Sequence, residues 1–329
     1  MKTRWGILST ANIGVQKVIP AIQEANNCEV VAISSRDAIK AEKTAKKLGI
    51  PNSYGSYEEL LADECVDVIY NPMPNHLHVP YTIKAMEAGK HVLCEKPIAL
   101  NTAEAVSLVE ETAKHPELKV MEAFMYRFHP QWIKTKQLVD EGVIGEVKTI
   151  QSFFSYYNDD PDNIRNQADI GGGALMDIGC YCISIPRFVL GKEPSRVMGV
   201  VDRDPVMKTD RLTSGVLDFN DGISSTFTCS TQLSPFQRVQ IVGDKGRIEV
   251  DVPVNAPASG MARVILFTGD KTEQFKFDSV DQYTKQAEAF ANAILNNTVV
   301  PTPLMDAVNN MIVVDALFES EAQNAWAEI

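Results

Sequence analysis

The sequence predicts a doubly wound parallel α/β sheet followed by an α+β region with an open, mainly antiparallel sheet. Up to about residue 120, short apolar runs alternate with helical segments, the pattern of parallel strands joined by helices. After about residue 150, strand-like segments follow one another across turns such as Asn220-Asp221-Gly222, as in hairpin-linked antiparallel strands. A chain of 329 residues is long enough for two domains, which we expect over residues 1–122 and 123–329.

Five apolar runs predict the strands of the first region, and the segments between them predict helices. Because these runs are apolar throughout rather than alternating, they indicate a parallel sheet covered on both faces. Gly49 and Gly89 end two of the helices, and Asn101 and Thr102 precede a third. The runs are WGILS, EVVAIS, VDVIYN, HVLCE and KVMEAF, and the helices are residues 13–26, DAIKAEKTAKKLG, HVPYTIKAMEAG and TAEAVSLVEETAKH.

The second region contains strand-like segments and helices in separate runs. Its predicted strands are EVKTIQSFFSYY, SGVLDF, ISSTFTCS, RVQIVG, GRIEVDV and RVILFTG. Its predicted helices lie near residues 130–141, 173–190, 282–296 and 304–326. A large sheet whose second face lacks helices would expose an apolar surface, so we expect a second copy of the chain to cover it, in a homodimer or homotetramer.

Composition excludes several classes of protein. A formal net charge of −12 disfavours a nucleic-acid partner, which would require a basic surface. The six cysteines form no C-x-x-C pair, so we expect no metal site, and their scattered positions fit a reducing compartment. The N-terminus lacks the apolar run of a signal peptide, and no uninterrupted apolar stretch reaches about 18 residues, so we expect a cytoplasmic protein without a membrane span.

The stretch GILSTANIG, after the first predicted strand, resembles a nucleotide-binding turn that has lost two glycines. The usual motif is G-x-G-x-x-G, and its glycine positions are Ser9, Ala11 and Gly14 here. Serine and alanine are the next smallest residues, and Gly14 retains the position that allows close packing of helix and strand. The helix that follows would offer free N–H groups to a phosphate. An ordinary junction between a strand and a helix could have the same sequence, so the loop alone is weak evidence for a nucleotide-binding site.

The end of the second predicted strand bears on which dinucleotide would bind. NAD-binding folds place an acidic residue there to hold the ribose 2′-hydroxyl, whereas this chain has Ser35 and Arg36. A carboxylate would repel a 2′-phosphate, whereas serine and arginine would bind it, which favours NADP(H). The alternative is a solvated arginine at the start of a helix capped by Asp37.

Polar residues also follow the third and fourth predicted strands, at the edge where doubly wound sheets bind ligands. The loop NPMPNHLH offers Pro72, Asn75 and His78, and the segment CEKPIAL offers Glu95 and Lys96. The alternative interpretations are a structural histidine and a solvated lysine.

The stretch GGGALMDIGCY is the strongest motif of the second region. Its three glycines permit close approach or unusual backbone angles. The helix that follows carries Asp177 and Tyr181 four residues apart, on one face. A carboxylate and a phenol on one face suit the binding and protonation of a hydroxyl group. The alternative is a surface helix with a tyrosine packed at its edge.

In these motifs, the sequence resembles the glucose–fructose oxidoreductase/inositol dehydrogenase (Gfo/Idh/MocA) family, and the resemblance extends over nearly its whole length. The resemblance rests on GILSTANIG, NPMPNHLH, the tripeptide EKP, MEAFMYRFHPQ and GGGALMDIGCY. Within the family it is most similar to the branch of NADP-dependent xylose dehydrogenases and dimeric dihydrodiol dehydrogenases. The resemblance implies a Rossmann domain with a working cofactor loop, and oligomers formed through the open sheet.

The resemblance also implies roles for single residues. Lys96 and Tyr181 would be the catalytic pair, and Asp177 would orient substrate hydroxyls, although many family members have histidine in place of Tyr181. The residues implied to contact NADP(H) are Ser9, Ala11, Asn12, Ile13, Ser35, Arg36, Pro72, Asn75, His78, Glu95 and Lys96, with Arg127 and Arg165 as weaker candidates.

The implied reaction is hydride transfer between the nicotinamide and a sugar-like alcohol or carbonyl, for example an aldose such as xylose or glucose, or a related polyol or dicarbonyl. Three other functions stay open: a dihydrodiol dehydrogenase, an NAD-dependent glycosidase-type enzyme of the same fold, and a non-catalytic NADP(H) sensor. Arg36 disfavours the glycosidase type, which retains NAD. The set of Lys96, Asp177 and Tyr181 disfavours the sensor.

Overall fold

The computed structural model describes residues 1–329, and the chain forms two compact units. The first unit comprises Met1–Met125 and Asp281–Val308, and the second comprises Tyr126–Val280 and Asn309–Ile329. The boundary predicted after residue 122 therefore lies close to the division at Met125. The structure differs from that prediction in one respect, because a segment near the C-terminus returns to the first unit.

The first unit contains the predicted parallel sheet, with six strands rather than the five predicted. Its strands are β1 (Thr3–Ile7), β2 (Cys28–Ser34), β3 (Asn52–Tyr54), β4 (Val68–Asn71), β5 (His91–Cys94) and β6 (Val120–Glu122). They lie in the order β3-β2-β1-β4-β5-β6, so the direction of winding reverses between β1 and β4. This is the strand order of the Rossmann fold.

Helices follow most of these strands and are capped by the residues that the sequence suggested. Asp37 accepts a hydrogen bond from Lys40 N at the start of the second helix, and Gly49 ends that helix in the left-handed conformation. The helices are α1 (Ile19–Glu24), preceded by a π-helical turn (Gly14–Val18), α2 (Ala38–Leu48), α3 (Tyr57–Leu61), α4 (His78–Glu87) and α5 (Thr102–Thr112).

The second unit contains a nine-stranded sheet in which only β7 and β10 pair in parallel. Its order is β14-β13-β12-β11-β7-β10-β9-β8-β15, so the predicted mainly antiparallel sheet is confirmed. Its strands are β7 (Val147–Tyr157), β8 (Arg196–Arg203), β9 (Asp210–Asp218), β10 (Ser224–Ser230), β11 (Gln232–Gly243), β12 (Gly246–Val250), β13 (Met261–Thr268), β14 (Lys271–Asp278) and β15 (Ala327–Glu328).

The second unit contains two helices that bear on the site, one near the start of the unit and the other after its glycine-rich loop. They are α6 (Pro130–Asp140) and α7 (Cys180–Leu190), the latter continuing a π-helical turn (Leu175–Gly179). The run Ala168–Leu190 is long and apolar enough to cross a membrane by length and composition, but 83% of its most apolar window is buried inside the protein, as in a core helix.

The segment that returns to the first unit is helical. Helix α8 (Gln282–Leu295) packs on β1, where Phe290 meets the Trp5 ring edge-on at 6.0 Å. Thr284 Oγ1 also donates to the carbonyl of Ala21 at 3.0 Å. The last helix, α9 (Leu304–Gln323), includes Asn310 of the second unit, which accepts a hydrogen bond from Arg187 of α7.

The nine-stranded sheet buries one face and leaves the other open. On β7, Ile150 and Phe154 are at most 5% exposed, whereas the intervening Gln151 and Phe153 lie on the open face. A depression of about 270 Å³ on this open face is lined by Gln151, Phe153, Thr226, Thr228, Arg238 and Gln240, among others. The open face is thus partly polar, which the expectation of an apolar surface did not anticipate.

Candidate active-site residues

In the first unit, the candidate cofactor residues follow four neighbouring strands at one edge of the sheet. Ser9 comes after β1, Ser35 after β2, Pro72 after β4 and Glu95 after β5, and all these strands are parallel. Their carboxyl ends flank the point between β1 and β4 where the strand order reverses. Open α/β sheets bind ligands at such a point. The structure therefore brings these sequence-predicted residues to one edge.

The turn after β1 shows why a glycine is usual at its first position. Ser9 has φ 69°, in the left-handed region that side chains rarely adopt, and its Oγ accepts a hydrogen bond from Ala11 N at 3.3 Å. Ile13, which caps the following helix, makes no side-chain hydrogen bond to it. Backbone N–H groups at the helix start can therefore bind an anion. The exposed Asn12 and half-buried Ile13 lie beside them.

Gly14 has more space around it than its motif position suggests. A Cβ at this residue would lie 3.6 Å from the Tyr70 ring and 3.7 Å from Pro72, which are ordinary contact distances. Crowding within the protein therefore does not require glycine here. The expected close packing of helix and strand therefore does not explain why residue 14 is a glycine.

We expect Ser9 to tolerate glycine but not a β-branched residue. Ser9→Gly removes a left-handed cost of about 1–2 kcal/mol and loses one hydrogen bond of about 0.5–1.5 kcal/mol, so the free energy of unfolding should change little. Ser9→Val should destabilise the protein by about 1–3 kcal/mol and raise the KM for NADP⁺. Urea unfolding and cofactor titration of both variants measure this. Equal stability of the two variants would contradict the importance of the backbone angle.

The end of β2 presents a serine and an arginine without an acidic partner. Ser35 is 7% exposed, and its Oγ accepts a hydrogen bond from Asp37 N at 3.2 Å. Arg36 is exposed and faces the phenol of Tyr57, whose pKa is raised by burial against the lowering effect of this guanidinium. No carboxylate forms a salt bridge with Arg36. Binding of a 2′-phosphate and capping of the helix are compatible interpretations of this segment, because Asp37 caps α2 while the Arg36 guanidinium remains available to a phosphate.

His78 has a structural position in the loop that follows β4. It is 1% exposed, with Nδ1 2.7 Å from the carbonyl of Pro97 and Nε2 2.7 Å from the carbonyl of Met73. Burial lowers the pKa of His78 to about 4, although both carbonyls act in the opposite direction. The ring therefore lies between the loop after β4 and the loop after β5, and in its neutral form it donates to one of the two carbonyls. Asn75, predicted with it, is half-buried in the same loop.

Two tyrosines that the sequence did not single out lie close enough to Glu95 to feel its charge. Tyr70, a fully buried residue of β4, donates its hydroxyl to Glu95 Oε1 at 2.6 Å. Burial and the Glu95 charge raise the pKa of Tyr70, and the same two causes raise that of Tyr283 on α8. Both phenols therefore stay protonated, and Tyr70 can hold the carboxylate in place. Lys96 follows Glu95, is half-buried, and precedes a cis peptide bond to Pro97.

In the second unit, two side chains fix the carboxylate of Asp177. Tyr156 Oη donates to Asp177 Oδ2 at 2.6 Å, and Arg165 Nε donates to the same oxygen at 3.0 Å. Burial and the Asp177 charge raise the pKa of Tyr156, so its phenol remains a donor. Arg165, predicted as a weaker cofactor contact, is placed by the structure on Asp177.

Tyr181 lies in the first turn of α7 and is 5% exposed. Its ring contacts Phe154 and Tyr126, with centroid distances of 6.0 Å in both cases. Arg127 donates to Ser184 Oγ at 2.6 Å, and its guanidinium lies 5.3 Å from the centre of the Phe188 ring. The structure thus packs Arg127, the other weaker cofactor candidate, against α7.

The glycine-rich loop before Asp177 requires its glycines, as expected. Gly171 and Gly173 have φ values of 83° and 128°, which disfavour side chains. A Cβ at Gly172 would lie 2.6 Å from the carbonyl oxygen of Gln167 and 2.7 Å from that of Arg165. The backbone therefore passes closer to itself here than any other residue allows.

Two family descriptions match this sequence. Residues 3–124 match "Oxidoreductase family, NAD-binding Rossmann fold", and residues 132–249 match "GFO/IDH/MocA C-terminal domain".

The chain is similar to known proteins along almost its full length. It is 43% identical to an uncharacterized oxidoreductase of Rhizobium meliloti, over 99% of each chain. It is 37% identical to a D-xylose 1-dehydrogenase (NADP(+)) of Haloferax volcanii, again over 99% of each. Among solved structures, the 3-ketoreductase KijD10 of Actinomadura kijaniata, in complex with NADP and TDP-benzene, matches with a TM-score of 0.90 and 30% identity over 97% of this chain and 98% of that one.

Proposed function

The chain belongs to the Gfo/Idh/MocA family of oxidoreductases, and from this premise we propose an NADP(H)-dependent dehydrogenase or reductase that acts on the CH–OH group of a sugar-like substrate. The observation that carries the cofactor choice is the end of β2, where Ser35 and Arg36 stand in place of a carboxylate. Arg36 has no acidic partner, so a 2′-phosphate would supply one.

The residues present fit this cofactor. The left-handed turn at Ser9 and the uncapped helix start offer N–H groups to the pyrophosphate. His78 joins the two loops that would flank the nicotinamide. The proposed cofactor contacts are Ser9, Ala11, Asn12, Ile13, Ser35, Arg36, Pro72, Asn75, His78, Glu95 and Lys96. Arg127 and Arg165 remain weaker proposals, because the structure engages them on α7 and on Asp177.

For the substrate, we propose an aldose such as xylose or glucose. Similarity to the Haloferax volcanii D-xylose 1-dehydrogenase over 99% of both chains supports this class. The fixed carboxylate of Asp177 supports it as well, because a sugar offers several hydroxyl groups and one must be selected for reaction.

Proton transfer is assigned to Lys96 and Tyr181. When bound, NADP⁺ supplies the carbon that accepts the hydride. Oxidation also needs a base for the substrate hydroxyl, and a free tyrosine with a pKa of about 10 is a poor one at neutral pH. An ammonium group favours the phenolate form of a tyrosine, and Lys96 is the proposed source of that charge. Asp177, held by Tyr156 and Arg165, would orient a second hydroxyl.

We further propose a cytoplasmic homodimer or homotetramer assembled through the open face of the nine-stranded sheet. The six free cysteines support a reducing compartment. On the open face, Phe153 and Phe236 form an aromatic pair, with ring centroids 5.4 Å apart, beside polar side chains that a second copy could match. Light scattering at micromolar concentration tests this, and a monomer would contradict it.

A spectrophotometric screen tests the proposed function. NADP⁺ and NADPH are offered with monosaccharides, inositols, dicarbonyls and dihydrodiols, and we expect NADP⁺ reduction with at least one aldose. Turnover of dihydrodiols alone would identify the dihydrodiol dehydrogenase instead. Purified protein that retains NAD and cleaves an aryl glycoside would identify the glycosidase type. Tight NADP(H) binding without any turnover would support the sensor.

A further inference from the structure

A buried carboxylate in the second unit binds the backbone beside Asp177. Asp210, the first residue of β9, is 4% exposed. Its Oδ2 accepts hydrogen bonds from Leu175 N at 2.7 Å and from Thr213 Oγ1 at 3.0 Å. Leu175 begins the π-helical turn that contains Asp177. A residue 35 positions away thus binds the first turn of this helix.

The glycine-rich loop is shaped around the same carboxylate. Gly173 has φ 128°, and a Cβ at this residue would lie 1.9 Å from Asp210 Oδ1. The Gly173 carbonyl in turn accepts a hydrogen bond from Asp177 N at 3.0 Å. Asp210 therefore contacts the backbone on both sides of the helix start, through Gly173 and through Leu175.

No local side chain provides this contact. Ala174 caps the π-helical turn and has no side chain that could accept a hydrogen bond. Asp210 supplies the missing acceptor, and its negative charge also suits a helix N-terminus. The positions of Asp177 and, one turn later, of Tyr181 depend on where this helix begins.

We propose that Asp210 is a positioning residue that fixes the start of the helix carrying Asp177 and Tyr181. The proposal rests on the proposed function for the roles of those two side chains. In this proposal Asp210 acts through the backbone of residues 173–177.

The ionisation of Asp210 gives this role a pH signature. Burial raises the pKa of Asp210 from its ordinary value of 3.8 to about 6, against the lowering effect of its hydrogen bonds and of Arg203. Arg203 is itself paired with Glu321, and the pKa of the neighbouring Cys229 thiol lies well above its ordinary range. The folded protein binds the Asp210 proton more tightly than the unfolded chain. Ionised Asp210 therefore costs stability above pH 6, and the protein recovers that stability as the pH falls from about 6 to about 4.

Three variants test the proposal. Asp210→Ala removes the acceptor, Asp210→Asn keeps an acceptor without the charge, and Asp204→Ala is the matched control. Asp204 lies in the same hairpin and accepts hydrogen bonds from Val206 N and Met207 N, but it does not contact the helix. The readouts are kcat and KM across pH, thermal unfolding across pH, and hydrogen exchange of residues 173–181 measured by mass spectrometry.

We expect Asp210→Ala to lower kcat by about 10- to 100-fold, the size expected for a small misplacement of reacting groups, with little change in the KM for NADP⁺. Exchange of residues 173–181 should accelerate in this variant and not in Asp204→Ala. Asp210→Asn should retain kcat within about threefold, because the amide oxygen can still accept the hydrogen bond from Leu175 N. Wild type should gain thermal stability relative to Asp210→Asn as the pH falls from about 6 to about 4.

Unchanged exchange of residues 173–181 in Asp210→Ala would overturn the proposal, as would an equal loss of kcat in Asp204→Ala. If Asp210→Ala does not fold, the exchange rate and pH profile of Asp210→Asn still decide it. Hydrogen exchange needs no substrate. A wild-type protein inactive on every sugar would therefore count against the proposed function, while the exchange data would still judge the role of Asp210.

Discussion

Tyr181→Phe should lower kcat by about 10²–10⁴-fold, the usual size of acid–base assistance, and leave the fold intact. The ring of Tyr181 is held by contacts with Phe154 and Tyr126, and phenylalanine can keep both of them. Only the phenolic oxygen is lost. Steady-state kinetics with the aldose identified by the screen measure the effect, and the KM for NADP⁺ should stay within about twofold.

Tyr126→Phe is the matched control for this substitution. Tyr126 is fully buried, touches the Tyr181 ring and shares a hydrogen bond with Ser184 Oγ at 2.8 Å. Its variant also loses one buried phenolic oxygen, so any general effect of such a loss on packing would appear there. Turnover of Tyr181→Phe close to that of Tyr126→Phe would remove Tyr181 from its proposed role.

Arg36→Ala should weaken NADP⁺ binding by about 10- to 100-fold and leave NAD⁺ binding nearly unchanged. Hydrogen bonds to charged groups contribute about 1.5–3 kcal/mol, which corresponds to this factor. The exposed guanidinium has no carboxylate partner to lose, so the substitution should disturb the apo protein little. Fluorescence titration with each cofactor measures both affinities.

Lys46→Ala is the control for the loss of positive charge. Lys46 lies in the last turn of α2, whereas Arg36 lies just before its start, so the two variants change the net charge equally. We expect Lys46→Ala to bind both cofactors as the wild type does. Equal losses for NADP⁺ and NAD⁺ in Arg36→Ala would refute the 2′-phosphate assignment.

Much of the fold could be predicted because its core strands are apolar runs with turn residues at their ends. The less buried strands were harder to predict from the sequence. β14 reads KTEQFKFD and exposes most of its side chains, and β3 has three residues, so neither shows a hydrophobic pattern. The return of α8 to the first unit depends on packing between Phe290 and Trp5, which a sequence pattern does not reveal.

The residues of the candidate site also divide into those that the sequence could predict and those that it could not. Residues that follow parallel strands could be predicted, because the topology of the sheet brings strand ends together. Tyr70 and Asp210 could not, since each acts on a residue or backbone group 25 or 35 positions away through its side chain. His78 was found by its loop, but its two carbonyl contacts show that it supports the backbone of that loop.

Isotope transfer tests the central claim most directly. The protein is incubated with NADP⁺ and an aldose that carries deuterium at the carbon to be oxidised, and the NADPH formed is analysed by mass spectrometry. Direct hydride transfer predicts NADPH that carries one deuterium, with none acquired from deuterated solvent when unlabelled sugar is used. NADPH without the label, or no NADPH with any aldose, would contradict the assignment of this chain as an NADP(H)-dependent sugar oxidoreductase.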